Sequence, residues 1–347
     1  MLRQPSLSVG VPYRDEGQNT ALLFGGLLDA LSQLPPHVER EVVVCVNGSD
    51  RGGCDALREW AKDVPPAMGD IRVIASAEGK LVAQKAILRE RRLQGYVAFV
   101  DSDVVVEGQT LRLLWDLLER EPRCMVAYAQ PVPIFPEQPN GVHRLLRVHY
   151  SLREVAYKRP YFHGRAFMLR EWFYEDPPPL RGVSAAVAER LRLHQGPLVD
   201  DIVMSRIAIA KWGLEAIREV PEANVYFDTP DSLTGMYAGA LRVALEIQRL
   251  DLLYPDHDHL QRTVFEHVWH PGGIARHSPR LRAAHSLYRL LDTAVKKVAK
   301  LHVWMVKAGL LKVKTLWIQV PGTKSFPRKR RAWNHFSKGR SAPRGTA

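Results

Sequence analysis

Two aspartates separated by a serine, Asp101-Ser102-Asp103, end the apolar run Tyr96-Val97-Ala98-Phe99-Val100. Carboxylates at the mouth of a core strand are costly to desolvate unless a cation or strong donors answer them. Along an extended chain residues i and i+2 share a side, so Asp101 and Asp103 can both face one hard cation, which in turn can hold a diphosphate. For the tripeptide alone, a strand ending in a polar turn with a helix cap is an equal reading. A second acidic pair, Asp200-Asp201, opens a helical pattern whose stripe is Ile202, Ser205, Ile209 and Trp212. Negative charge is favoured in the first turn of any helix, so this pair taken by itself reads as a cap.

The elements that must position these groups follow a strand-helix-strand rhythm, the signature of a parallel sheet. Residues 7–11 (LSVGV) read as a buried strand followed by the polar loop Pro12 to Gly17. A helix from about Asn19 to Leu34 carries Leu23, Leu27, Leu28 and Leu31 on one face and stops at Pro35-Pro36. Val42 to Val46 is the second strand, ending in Asn47-Gly48-Ser49-Asp50, and Ile71 to Ala75 is the third. Glu78-Gly79-Lys80 opens a helix that leads to the strand ending at Asp101. In open α/β sheets ligands sit beyond the carboxyl ends of the strands, where the loops at 12–17, 47–50 and 101–103 converge. None of these loops is a Walker A or GxGxxG fingerprint, so neither a P-loop nor a Rossmann dinucleotide site is supported. Farther on, Gln109 to Glu121 and Val142 to Tyr157 have helical spacing, and His143 and His149 on the latter read as packing or surface residues rather than ligands.

Composition narrows the classes. The chain has 347 residues with 46% hydrophobic content, enough for one large α/β domain with an appendage or for two domains. Cys45, Cys54 and Cys124 form no CxxC pair, which points away from a disulfide framework or a zinc site and toward a reducing, cytoplasmic setting. A strand-like segment begins within a few residues of Met1 with no long apolar stretch before it, so no secretory signal is expected. No apolar run approaches the roughly 18 residues that span a bilayer. The net charge of +12 is unevenly placed: no acidic residue follows Asp292, and removing the 14 Lys and Arg between Lys296 and Arg344 leaves residues 1–292 at −2. A polyanionic partner therefore belongs at the C-terminal part.

Taken together the spacings resemble glycosyltransferase family 2 over about residues 7–250. The marks are Val11-Pro12-Tyr13-Arg14-Asp15-Glu16, the turn Asn47-Gly48-Ser49-Asp50, and Gly79-Lys80 followed by Ala83 and Lys85. Asp101-Ser102-Asp103 stands as a DxD, Gly164 to Arg170 as a GxxxxxR strand, and Asp200-Asp201 where Glu-Asp is usual. The resemblance implies an α/β GT-A fold, Rossmann-like with a mainly parallel central sheet flanked by helices, its nucleotide-binding half about 1–130 and its acceptor half about 131–250. A helical region would follow at 251–322 and a basic tail at 323–347. It also implies an inverting transfer of a sugar from a nucleotide-diphosphate donor to a hydroxyl acceptor, on a sugar, a lipid-linked glycan or a surface glycan. Pro12, Asp15, Glu16, Asn47, Asp50, Lys80, Asp101 and Ser102 would form the nucleotide-sugar site, with Asp103 and Asp101 binding Mg2+ or Mn2+. Asp201 would be the general base and Asp200 its support. Arg14, Asn47 and Lys85 depart from the usual residues, which leaves the nucleotide open, and the QxxRW motif of processive members is missing. Arg242, on a helix that starts near Asp231, would stand near the diphosphate in its place, or on the surface. A sugar-phosphate nucleotidyltransferase would need a glycine-rich, arginine-containing signature after the first strand, and VPYRDEGQNT has one glycine. A membrane- or nucleic-acid-associated binding protein without the chemistry is the non-enzymatic alternative.

From Ala283, Leu287, Leu291, Ala294, Val298, Leu301, Met305 and Ala308 repeat at spacings of three and four among lysines, a basic amphipathic helix, with Arg328-Lys329-Arg330-Arg331 behind it. Two readings have equal weight: a peripheral anchor on anionic lipid at the inner face of the plasma membrane, or a stripe packed on the catalytic body. No nucleic-acid-binding motif accompanies the run, so no nucleic-acid partner is expected.

Overall fold

The structure, a computed structural model, describes residues 5–14, 20–48, 51–65, 69–158, 161–257, 260, 268–269 and 277–312. Asp15, Glu16 and Asp50 lie outside them.

The first apolar run forms β1 (Ser6–Tyr13), all of it buried. α1 (Thr20–Ser32), β2 (Glu39–Asn47), α2 (Arg51–Lys62), β3 (Asp70–Ser76), α3 (Lys80–Glu90) and β4 (Tyr96–Val100) follow in strict alternation. β1 pairs in parallel with both β2 and β4, and β2 with β3. The valine-rich second strand lacks polar alternation because helices cover both of its faces. Val42, Val44 and Val46 pack with Leu23, Leu27 and Leu31 of α1. Val43 and Cys45 point the other way, into a core shared with Leu81 and Ile87 of α3.

Beyond β4 the sheet becomes mixed. The remaining elements are β5 (Val104–Val106), α4 (Thr110–Arg120), β6 (Val126–Ile134), α5 (Gly141–Ala156), β7 (Tyr157–Lys158) and β8 (Ala166–Leu169). Then come α6 (Ala185–Arg190), α7 (Asp200–Trp212), β9 (Ile217–Asp228), α8 (Leu233–Leu253), β10 (Val268–Trp269) and α9 (Pro279–Ala308). The main sheet runs β3-β2-β1-β4-β8-β6-β9-β5, while β7 and β10 form a separate two-stranded ladder. β8 is antiparallel to β4 and β6, and β5 is antiparallel to β9 at the sheet edge. Where β6 meets β9 the register jumps from Ala129↔Val220 to Gln130↔Asn224, and the extra residues curl the sheet.

Two consequences bear on the site. Strand order reverses at β1, with β2 on one side and β4 on the other, which opens a crevice at the carboxyl ends of these strands. The chain also enters Asp101 from the middle of the sheet and leaves Asp103 for its far edge. It therefore makes a turn at Ser102 and Asp103, not the extended alternation expected from the spacing, because β4 and β5 have different partner strands.

α9 lies against α8 and α5. Val303 and Val306 join the core of Leu245, Leu250 and Leu253, His302 Nδ1 is 2.5 Å from the Tyr237 hydroxyl, and Tyr288 stacks on His149 with ring centroids 4.5 Å apart. The buried face is thus His285, Tyr288, Ala299, Val303 and Val306, whereas Leu287, Val298 and Leu301 of the expected stripe face outward. The helix carries apolar residues on two sides, and periodicity picked out the outer one. Among the described residues no helix is long and apolar enough to cross a membrane.

Candidate active site

Lys80 is the hub. It is the first residue of α3, delivered by a bend at Gly79, whose φ of 136° only glycine adopts readily. The Gly79 N–H donates to Asn47 Oδ1 at 2.7 Å, so the amide at the end of β2 fixes where α3 begins. Arg14, at the end of β1, bridges to Glu78 at 2.8 Å and ties a second loop to the same corner. Lys80 Nζ then reaches Asp101 Oδ1 at 2.5 Å, Asp200 Oδ1 at 3.1 Å and the Gly164 carbonyl at 3.0 Å. Two acidic motifs almost a hundred residues apart in sequence meet on one ammonium.

Asp200 and Asp201 do open α7, as the pattern predicts, but their side chains are spent on tertiary partners, so capping is not their task. Asp200 is 2% exposed, and Gln84 Nε2 donates to its Oδ2 at 2.7 Å. Gln84 sits four residues after Lys80 on α3, so both side chains share the face that meets Asp200. Asp201 Oδ2 accepts the Gly164 N–H at 3.1 Å, while its buried Oδ1 has no hydrogen-bond partner. A methyl group on Gly164 would lie 2.9 Å from Asp200 Oδ1, 3.2 Å from Lys80 Nζ and 3.3 Å from Asp201 Cβ, so the cluster closes only around a glycine.

The charges are unbalanced. Burial works against the Lys80 ammonium, but Asp101, Asp200 and Asp201 outweigh it and hold its pKa above the ordinary lysine range. Burial raises the Asp101 carboxyl, Lys80 pulls it down, and Asp103 and Asp200 help push it up to about 7. Asp201 is raised too, by burial and by its neighbour Asp200, against the pull of Lys80, the Gly164 N–H and Arg165. Three carboxylates thus act on one lysine, with Asp103 beside Asp101 as a fourth, an excess of negative charge that a divalent cation would offset. Among the described residues no group of three or more His, Cys, Asp or Glu side chains is arranged to hold a metal. An ion of the Mg2+ type takes only one or two protein carboxylates and completes its shell with phosphate and water, so Asp101 and its neighbour Asp103 are of the right chemical type and number to be such ligands.

The loop that leads to Asp200 is held from beneath by a buried ion pair on α8. Arg249 Nη1 meets Glu246 Oε2 at 2.6 Å, and both side chains are nearly inaccessible. Glu246 Oε1 accepts the N–H groups of Leu198 at 2.7 Å and Val199 at 3.2 Å. Arg249 donates to the carbonyls of Leu191, Arg192 and Gly196. The segment entering α7 is therefore fixed on both sides by charge-assisted bonds.

Of the residues expected at the site, Lys80, Asp101, Asp200 and Asp201 come together, and Asp103 is close enough to raise Asp101. Asn47 positions Gly79, Ser102 is buried in the turn, and Pro12 lies within β1 opposite Cys45. Arg242 is on α8 with a buried Nε that has no hydrogen-bond partner. Lys85, in the motif beside Lys80, pairs with Asp176 and lies over the Tyr174 ring. Sequence reasoning missed Gln84, Gly164 as a donor, and Glu246 with Arg249. The one available signal was Gln84 itself, a polar residue among the buried positions Leu81, Ala83 and Ile87.

The sequence model of Glycosyl transferase family 2 matches residues 8–190, more than half of the chain. No curated protein matches the chain. Among solved structures the chain is similar to the mannosyltransferase PcManGT from Pyrobaculum calidifontis in complex with GDP-Man and Mn2+. The identity is 18%, over 99% of this chain and 82% of that one, at a TM-score of 0.47. It is also similar to S. aureus TarS 1–349, at 14% identity over 88% of this chain and 92% of that one, TM-score 0.39. For the same TarS fragment in complex with UDP, the identity is 13% over 99% and 94%, at the same TM-score.

Proposed function

Since the chain belongs to glycosyl transferase family 2, we propose that it is an inverting, metal-dependent transferase moving a hexosyl group from a nucleotide-diphosphate sugar to a hydroxyl acceptor. Its fold, a curled mixed sheet between two helical layers, is of the GT-A class. The observation that carries the reading is the pair of contacts made by Lys80, to Asp101 at 2.5 Å and to Asp200 at 3.1 Å. A leaving-group end and a base end lie within reach of one side chain.

Asp201 is the general base. Its Oδ2 is held by the Gly164 N–H, its Oδ1 is buried without a partner, and its raised pKa strengthens it as a proton acceptor. Removing the acceptor's proton lets the hydroxyl attack the anomeric carbon from the side opposite the leaving diphosphate, and that single displacement inverts configuration. Asp200, locked by Lys80 and Gln84, orients Asp201 and supplies the negative charge that, after burial, does most to raise its pKa. Asp103 and Asp101 would hold Mg2+ or Mn2+, which would supply positive charge to the departing diphosphate. Lys80 faces the polar atoms of the nucleotide from the other side. The acceptor is a sugar or a lipid-linked or surface glycan, and the enzyme works in the cytoplasm at the inner membrane face.

A screen of nucleotide sugars for thermal stabilisation, with and without Mn2+, identifies the donor series. With that donor, Asp103→Ala and Asp201→Asn each abolish transfer without altering the circular dichroism spectrum. Full activity in Asp201→Asn removes the base assignment.

A further inference from the structure

α9 presents three distinct sides. One is packed on α8 and α5. A second carries Leu287, Leu290, Ala294, Val298, Leu301 and Trp304 outward, and the five large side chains among them are between 54% and 70% exposed. These residues recur at three- and four-residue steps, so at about 100° per residue they form one continuous stripe along the helix. A third side, between the stripe and the packed face, carries Arg289, Lys296, Lys300 and Lys307, with Lys297 at the stripe's border. Asp292, paired with Lys296 at 2.6 Å, is the last acidic residue of the chain. Residues 313–347, which follow in the sequence, add nine Lys and Arg.

A water-exposed apolar stripe of this length on a single helix calls for a cover. A second copy of the chain is a poor candidate, because face-to-face helices would bring two basic rows together, and the chain's own basic tail meets the same repulsion. A bilayer containing anionic lipid satisfies both sides at once: the stripe enters the acyl boundary while the lysine row meets the headgroup phosphates. We infer that α9 is an interfacial helix that docks the protein on an anionic membrane through Leu287, Leu290, Val298, Leu301 and Trp304. This holds whatever sugar the site transfers, since it rests on none of the active-site residues.

The test uses the full chain without any sugar nucleotide. Its sedimentation is measured with phosphatidylcholine vesicles and with vesicles that also contain phosphatidylglycerol, at low and high salt. The parent binds the anionic vesicles and leaves the neutral ones largely unbound. Leu290→Ser with Leu301→Ser and Trp304→Ser, all on the exposed stripe, keeps the thermal unfolding of the parent and loses about tenfold or more in vesicle partitioning. Lys297→Glu with Lys300→Glu weakens binding at low salt and much less at high salt. Three outcomes overturn the inference. One is undiminished binding of the triple-serine variant, which assigns the docking to the tail. Another is a concentration-dependent dimer that the serines dissolve, with no vesicle binding. The third is RNA binding in place of vesicle binding.

Discussion

Gly164→Ala is the most informative single substitution, because its effect can be worked out from positions alone. The added methyl carbon would sit 2.9 Å from Asp200 Oδ1, about 0.6 Å inside a comfortable contact of about 3.5 Å. Asp200 has no easy retreat, since Lys80 and Gln84 hold its two oxygens at 3.1 and 2.7 Å. Lys80 and the Asp201 Cβ, at 3.2 and 3.3 Å from the new carbon, are crowded from the other sides. Overpacking of this kind costs about 1–3 kcal/mol. If the strain falls on the geometry of the base, each 1.36 kcal/mol is tenfold, so the turnover rate drops about 5- to 150-fold. The assay is initial-rate transfer at saturating donor, with urea denaturation run in parallel to report the stability change. The lesion should appear in kcat more than in the donor KM, because the tightest approach, 2.9 Å, is to Asp200, whereas Lys80 at the nucleotide end is met only at 3.2 Å. Parental kcat together with parental stability would refute the packing of Gly164 against the two aspartates.

Two further substitutions probe the supports. Glu246→Ala strips Arg249 of its buried partner and two backbone N–H groups of their acceptor, and should lower stability by about 3–5 kcal/mol in urea denaturation. Glu246→Gln keeps an acceptor and loses less; a change in Glu246→Ala below about 0.5 kcal/mol contradicts the bracing role. Asp200→Asn removes the neighbouring negative charge that helps raise Asp201, so the acid limb of the kcat/KM profile should move to lower pH. The sign for folding is parallel: a carboxyl raised in the native state contributes stability below its ordinary range and loses it as pH rises through the raised value, and Asp200→Asn should flatten that slope.

Much of the local structure around the candidate site was legible in the sequence because its marks are local. The strand that ends at Val100, the helix Asp200–Trp212 and the lysine after Gly79 depend on neighbours a few residues away. What could not be read depends on partners set by topology. Glu246 and Arg249, three residues apart on a helix, look in sequence like a solvated surface pair; only the fold buries them beneath the loop at 191–199. Val104–Val106 looks like a continuation of β4, yet it pairs with β9 at the opposite edge of the sheet. The C-terminal helix has two apolar sides, and periodicity says that a side exists without saying what meets it.

The route of the chain through Asp101–Asp103 also sets an order of assembly. β1, β2 and β3 pair among themselves, and β4 adds to β1 without waiting for later sequence. β5 finds its partner only in Val225–Phe227, more than a hundred residues downstream. Contacts of that sequence separation are slow to close. On the ribosome, a nascent chain that has not yet exposed β9 is therefore expected to pair β1 to β4 first and to leave the aspartate turn anchored at one end. The turn is pinned at both ends only after the aspartate pair of α7 has emerged, so the two halves of the chemistry mature together.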